Sequence, residues 1–228
     1  MSYHGPPFTI LNLVNGLNEH KFKNIVVVAG AGISCGESSL LSLVVASGIP
    51  DFRSANGLYR NLNKYPVPYL RDPSTIFDYY DFQEYSTPFW ILAKEMFYTN
   101  DQYHPTPCHF FLQLLAQKGL LRRVFTQNID GLERKAGLAP PTLIEGHGTC
   151  SQCACVRCKQ EYDPNVPQIA VNTRTVPFCS KCGGQIKPSI VFFGEDLPDV
   201  FYRCVMKDCP EADLLIVMGT SLQVYPMW

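Results

Sequence analysis

Ile25-Val-Val-Val-Ala29-Gly30-Ala-Gly32-Ile-Ser34 is the stretch that decides the fold. Five apolar residues, four of them β-branched, run without interruption into a glycine. Such a run reads as a strand buried on both faces, the situation of a parallel sheet covered by helices on both sides. The turn after it has the form of a nucleotide-binding loop. Glycine lets backbone approach a pyrophosphate closely, and the start of a following helix favours negative charge. The third glycine of the dinucleotide fingerprint would fall at position 35, where the chain has Cys35. On these residues alone, a simple strand-to-turn glycine pair stays open beside dinucleotide binding.

Similar short apolar runs recur at Leu121 to Phe125, Ile190 to Phe193 and Leu214 to Met218. Helical patterns separate them: Thr87 to Phe97, Thr106 to Lys118 with Pro107 near its start and Gly119 as its stop, and Pro198 to Lys207. Strands alternating with helices predict an α/β protein built on a parallel sheet. Residues 149–187 differ, being rich in Cys, Pro and polar residues with little apolar periodicity, and predict an insert held by metal rather than by a core. Residues 54–86, rich in Tyr, Pro, Asn and Asp, predict a long loop and short helices over the surface, a candidate lid.

The chain has 228 residues, 46% of them hydrophobic, and a formal net charge of −1. No basic surplus points to nucleic acid as a direct ligand. The N-terminus lacks a basic segment followed by an apolar one, and no apolar run approaches the length of a membrane span. This reads as an intracellular protein, cytoplasmic or nuclear, with a mitochondrial location as the alternative. Ten cysteines in that setting point to metal more than to disulfides. Cys155-x-x-Cys158 and Cys179-x-x-Cys182, with twenty residues between the pairs, have zinc-ribbon spacing. Two tight turns would complete a closed tetrahedron, hence a structural zinc. Cys150-x-x-Cys153 is a competing pair; the loop length favours the later one. Cys35, Cys108, Cys204 and Cys209 read as small apolar side chains.

Gln127-Asn-Ile-Asp130 follows the strand at Leu121 to Phe125, at the end of a parallel strand where ligands bind; a helix cap by Asn128 or Asp130 explains it equally well. His147, between Gly146 and Gly148 after a strand-like Thr142 to Glu145, reads as an accessible imidazole and a candidate general base. His4, His20, His104 and His109 read as ordinary surface or core residues.

Together these motifs are more specific. Gly-Ala-Gly-Ile-Ser (30–34), Gly-Ile-Pro-Asp-Phe-Arg-Ser (48–54), Gln-Asn-Ile-Asp (127–130), His-Gly (147–148), the two cysteine pairs, Lys-Pro-Ser-Ile-Val-Phe-Phe-Gly-Glu (187–195) and Gly-Thr-Ser-Leu (219–222) occur in this order. From about Ile25 onward the chain strongly resembles the sirtuin family of NAD-dependent protein-lysine deacylases, nearest to its animal cytosolic and mitochondrial deacetylase branch. The resemblance implies a Rossmann-like large domain from residues 1–148 and 188–228, with a helical or lid segment at 54–105, and a small zinc-ribbon domain at 149–187. It implies NAD as cofactor and acyl-lysine proteins, histones or others, as substrates, with neither nucleic acid nor membrane as a direct partner. It further implies that the acyl group passes from lysine to ADP-ribose with release of nicotinamide. His147 is implied as general base, with Asn128 beside it in catalysis. Gly30, Ala31, Gly32, Ile33, Ser34, Ile49, Asp51, Phe52, Arg53, Tyr59, Gln127, Asn128, Ile129, Asp130, Gly219, Thr220 and Ser221 are implied to line the cofactor pocket. Val191, Phe192, Phe193, Gly194 and Glu195 form the implied edge for substrate backbone, with Phe193 walling the acyl-lysine tunnel. Leu58 and its apolar surroundings lean toward acetyl or longer fatty acyl groups over acidic ones.

The sequence departs from the family pattern in two places. Cys35 to Ala46 intervene between the first two motifs, where the family has a much shorter connection, and a loop that must touch a ligand tolerates insertion poorly. The chain also ends at Trp228, just past Gly-Thr-Ser-Leu, which predicts an adenosine pocket lacking the strands that follow in the family. Cys150 stands where an aromatic residue is usual. These departures keep a second reading in view, a catalytically impaired splice form or fragment that only binds acyl-lysine peptide or partner proteins. A zinc-ribbon nucleic-acid module, the third reading, is disfavoured by the charge balance.

Overall fold

The computed structural model describes residues 8–34, 73–97, 103–173 and 175–223. Strand β1 (Ile25–Ala29) occupies the apolar run that predicted it. It pairs in parallel with β2 (Leu121–Thr126) on one side and with β7 (Leu214–Met218) on the other. β2 pairs in parallel with β3 (Leu143–Glu145), giving the order β3-β2-β1-β7. Successive side chains of a strand point to opposite faces, and β1 shows why its run is apolar throughout. Ile25, Val27 and Ala29 pack with Leu112 and Leu115 of helix α4 (Pro107–Gln117), together with Val124, Leu138 and Leu143. On the other face, Val26 packs with Phe125, Ile144, Leu197 and Phe201, the last from helix α7 (Asp199–Asp208). This is a mixed α/β fold with helices on both faces of a parallel sheet.

Local signals set the helix limits. Helix α1 (Ile10–Asn18) begins at Thr9, whose Oγ1 accepts from the Asn12 N–H while the Asn12 side chain accepts from the Thr9 N–H. Helix α4 starts with Pro107 and stops before Gly119, whose φ of +68° favours a residue without Cβ. Helix α7 is pinned to β2 by Asp208, which is buried and accepts from the guanidinium groups of Arg122 and Arg123.

A second, antiparallel sheet has the order β5-β4-β6, from β4 (Gly148–Cys155), β5 (Glu161–Tyr162) and β6 (Ile186–Ile190). It corrects one expectation. The run Ile190 to Phe193 is not a strand of the parallel sheet; β6 ends at Ile190, paired with Gly148. The run is apolar because Ile190 and Phe192 are buried in a separate cluster, where the Phe192 ring lies 5.3 to 5.7 Å from the rings of Phe77, Phe82 and Phe89. Periodicity cannot tell a strand from a short buried segment.

Two further corrections follow from that cluster. The described part of the 54–86 stretch does contain short helices, a 3-10 turn at Pro73–Phe77 and α2 (Tyr79–Glu84). They do not merely cover the surface, since Ile76, Phe77 and Phe82 are core. Helix α3 (Thr87–Phe97) joins them. The insert is not held by metal alone either: helix α6 (Asn165–Thr173) buries Ala170 and Val171 in the same cluster.

The α4 packing is checked by a pair of substitutions. Leu112 is fully buried and Leu114 is exposed. Leu112→Ala should cost about 2–5 kcal/mol in denaturant unfolding, against about 0.5 kcal/mol for Leu114→Ala.

Candidate active site and metal centre

The loops that leave β1 and β7 meet at the same end of the sheet. Gly30 donates its N–H to the Met218 carbonyl at 3.1 Å, and Gly32 donates to the Gly219 carbonyl at 2.8 Å. A Cβ on Gly32 would stand 2.7 Å from the Gly219 Cα, and one on Gly30 would stand 2.6 Å from the Thr220 Cβ. The absence of a side chain at both positions is what permits this mutual approach. Ala31 to Ile33 form one 3-10 turn, leaving Ala31 and Gly32 exposed and Ile33 and Ser34 buried.

Gln127 to Asp130 flank this cradle at the end of β2. Gln127 Oε1 accepts from the Thr220 hydroxyl at 2.7 Å. Its buried Nε2 has no hydrogen-bond partner among the described residues. A buried amide left with a donor to spare is costly unless something accepts from it. The cradle thus fits a ligand bearing acceptor oxygens, as a dinucleotide does. Asn128 is buried and donates through Nδ2 to the Gly30 carbonyl at 3.3 Å and to Ser34 Oγ at 3.4 Å. The Ser34 hydroxyl donates to Asp130 Oδ2 at 2.7 Å, while Asp130 Oδ1 accepts from the Leu132 N–H and so starts helix α5 (Leu132–Lys135). Ile129 is half-buried against the aromatic cluster. Thr220 ties its own turn by accepting from Leu222 N–H, and Ser221 is exposed.

His147 sits between β3 and β4. Its Nδ1 lies 2.8 Å from the Gln127 carbonyl. A carbonyl only accepts, so Nδ1 carries the proton and Nε2 keeps the free lone pair. Burial holds the imidazole below its ordinary pKa, against a smaller upward pull from the Gln127 carbonyl. The ring is half-buried, so its flanking glycines do not serve exposure as expected. Gly148 has φ +75°, and a Cβ there would stand 2.0 Å from the Ser189 carbonyl oxygen. The His147 carbonyl is itself held by the Val191 N–H at 2.8 Å.

Cys155, Cys158, Cys179 and Cys182 converge, with all four sulfurs within 4.8 Å of one another. Cys155 to Cys182 is 3.5 Å and Cys158 to Cys179 is 3.6 Å. Zinc–sulfur bonds of about 2.3 Å in a tetrahedron put sulfurs about 3.8 Å apart, so the donor set fits a zinc ion. The Tyr162 hydroxyl donates to the Cys179 sulfur at 3.1 Å, which pulls that thiol down to about 6. This resolves the competition between pairs. Cys153 faces the carbonyls of Tyr162 and Asp163, and Cys150 packs against the aromatic cluster, where burial pushes its thiol up.

Sequence reasoning missed a buried polar layer beneath the cradle. His109, read as ordinary, is fully buried. Its Nδ1 accepts from the Thr106 N–H at 3.0 Å, so Nε2 bears the proton and faces Ser34 Oγ at 3.4 Å. Glu133 is also buried; its Oε1 accepts from the Thr126 hydroxyl at 2.5 Å, and Thr126 in turn accepts from the Asn128 N–H at 3.1 Å. Burial, with repulsion from Asp130, pushes the Glu133 carboxyl up to about 7. No spacing rule connects residues 34, 109, 126 and 133. Ile49, Asp51, Phe52, Arg53, Leu58, Tyr59 and the Cys35 to Ala46 insertion lie outside the described residues.

Fold and site together define an α/β protein with a cofactor-type glycine cradle, a half-buried neutral histidine and a cysteine tetrad. Comparison with known proteins narrows the class. The Sir2 family matches residues 30–226, and the chain belongs to that family. It is 46% identical over 209 residues to the NAD-dependent protein deacetylase sirtuin-2 of Danio rerio, covering 90% of this chain and 51% of that protein. It is 45% identical over 222 residues to the NAD-dependent deacetylase sir2A of Dictyostelium discoideum, covering 96% of this chain and 40% of that protein. Identity to the NAD-dependent protein deacetylase sirtuin-3 of Mus musculus is 42% over 220 residues, covering 96% of this chain and 61% of that protein. The chain thus spans about half the length of these relatives.

Two measurements test the site. Glu133 binds its proton more tightly folded than unfolded, because its folded value near 7 exceeds the ordinary 4.5. Its burial therefore costs nothing below the unfolded value; stability falls as pH rises from 4.5 to about 7, by on the order of 3 kcal/mol, and levels off above that. Urea unfolding of Glu133→Gln should lack that fall; equal pH slopes in both proteins would refute it. The purified protein should carry about one zinc per chain, and Cys179→Ser should lower both zinc content and melting temperature.

Proposed function

We propose that this chain is an NAD-dependent protein-lysine deacylase acting on acetyl or longer fatty acyl groups. The observation that carries the reading is the His147 imidazole, its Nδ1 proton committed to the Gln127 carbonyl and its Nε2 left as a base, beside a glycine cradle where Gln127 Nε2 has no partner among the described residues. The similarity to proteins named NAD-dependent deacetylases supports it. Gly30, Ala31, Gly32, Ile33 and Ser34, with Gly219, Thr220 and Ser221, hold the phosphate and adenosine end of NAD. Gln127, Asn128, Ile129 and Asp130 hold the ribose and nicotinamide end, completed by Ile49, Asp51, Phe52, Arg53 and Tyr59. When bound, NAD supplies nicotinamide as leaving group and a ribose to accept the acyl group. His147 Nε2 would take the proton from the ribose hydroxyl as that oxygen accepts the acyl group; burial favours the neutral ring for that task near pH 7. Asn128, held by the Gly30 carbonyl, keeps the adjacent backbone in place.

Val191 to Glu195 form the substrate ledge. Among the described residues, the Val191 carbonyl and the Gly194 N–H have no hydrogen-bond partner, while the Val191 and Phe193 amides are tied internally. Two free groups on a fixed backbone suit pairing with an extended peptide. Phe193, 47% exposed, walls the acyl-lysine. Residues 149–187 form a small lobe around one structural zinc, and the remainder forms the cofactor lobe. Substrates are acyl-lysine proteins, histone or otherwise. Free thiols throughout the described residues suit a reducing, intracellular compartment.

One further observation favours a non-catalytic variant of this reading, because the Cys35 to Ala46 insertion directly follows Ser34. Mass spectrometry of an acetyl-lysine peptide incubated with NAD separates the two. Deacetylation should fall about 10²–10⁴-fold in His147→Ala. Equal turnover by both proteins would exclude His147 as the base, and peptide binding without turnover by the unaltered protein would favour the binding form.

A further inference from the structure

Charged side chains are seldom fully buried unless paired. Lys187, on β6, is 6% exposed. Its Nζ donates to the Ile190 carbonyl at 2.5 Å and to Glu195 Oε2 at 2.8 Å, and lies 4.2 Å from the centre of the Phe192 ring. Glu195 Oε2 also accepts from the Phe192 N–H at 2.9 Å, and the Glu195 N–H donates back to the Phe192 carbonyl. One ion pair thereby closes the chain from 187 to 195 into a tight turn. That turn is fastened to two neighbours. The Val191 N–H holds the His147 carbonyl at 2.8 Å. The Phe193 N–H donates to the Phe77 carbonyl at 2.8 Å, and the Phe193 carbonyl accepts from the Tyr79 N–H at 3.0 Å. The Val191 carbonyl and the Gly194 N–H, without partners among the described residues, lie within the turn that the ion pair closes.

Stability alone does not call for this arrangement. Apolar residues of similar volume commonly replace a buried ion pair at no loss. What the pair does impose is a single geometry, since charge-assisted bonds demand fixed donor and acceptor positions. We propose that Lys187 and Glu195 are positioning residues: their clasp sets the Val191–Glu195 ledge against the His147 loop and so governs capture of the acyl-lysine peptide. This rests on the deacylase reading given above. The pair would act on peptide binding selectively, because none of its partners belongs to the Gly30–Ser34 or Gly219–Ser221 loops.

The test compares Lys187→Met and the milder Glu195→Gln with the unaltered full chain. The first arm is amide hydrogen exchange, which needs no activity. Exchange at Val191, Phe192 and Phe193 should speed up about tenfold or more, in keeping with loss of a charge-assisted bond, while β1 amides stay unchanged. The second arm measures binding of a fluorescent acetyl-lysine peptide and of NAD separately. The peptide Kd should rise about tenfold, the NAD Kd should stay within about twofold, and the double variant should be no worse than the worse single one. Unchanged exchange in both variants, or parallel weakening of peptide and NAD, overturns the clasp. Failure of the unaltered protein to bind the peptide overturns the deacylase reading itself, and with it the peptide role of the clasp.

Discussion

Gly32 gives its amide hydrogen to the Gly219 carbonyl across a gap that admits no side chain. The site depends on that approach, and the sheet explains where it falls. The chain moves from β1 outward through β2 to β3, and then returns to the other side of β1 to form β7. Strand order therefore reverses at β1. Loops leaving the carboxyl ends of strands on either side of such a point diverge and leave a crevice. Here the β1 and β7 loops are drawn together by backbone bonds, and the β2 loop brings Gln127 against both. A nucleotide-type cradle at this place is a consequence of topology, and the glycines are what let the three loops occupy it.

The chemistry is set by which atoms are already committed. A carbonyl at His147 Nδ1 decides the tautomer there, and a backbone N–H at His109 Nδ1 decides the opposite one. One ring thus keeps a basic nitrogen, and the other presents a donor toward Ser34. The Ser34 hydroxyl donates a hydrogen bond to Asp130, and the Thr126 hydroxyl donates one to Glu133. These bonds leave little rotational freedom in Asn128 or Asp130. A satisfied polar layer beneath a ligand site makes it rigid, and a half-satisfied one would be expensive. Gln127 Nε2, without a partner among the described residues, stands out against that background, because its neighbours are provided for.

Much of this was legible in the sequence. The β1 run, the caps of α4 and the spacing of the cysteine pairs are local signals, each fixed by a few neighbouring residues, and they translated into structure within a residue or two. The motif order from Gly30 to Leu222 gave the family. What could not be read was anything that depends on contact between distant segments. Ile190 to Phe193 looked like a strand because burial in an aromatic cluster and burial in a sheet select the same residues. Phe82 and Ala170 gave no local hint that they share one core. His109 and Glu133 are polar residues in ordinary surroundings along the chain, Lys187 opens a motif that says nothing of its burial, and only the fold shows all three buried and paired.

The antiparallel sheet links the two halves of the site in a way the cysteine pattern alone did not suggest. β4 begins at Gly148, the residue after His147, and ends at Cys155, a member of the tetrad. β6 pairs along β4 and delivers Lys187 at one point and Val191 just beyond its end. The close seat of Gly148 on Ser189 fixes the register where it matters most, beside the imidazole. A metal ion closing the far end of this sheet would take no part in proton transfer. It would still bear on the position of the histidine, because the strand that carries one cysteine ligand starts at the residue after His147.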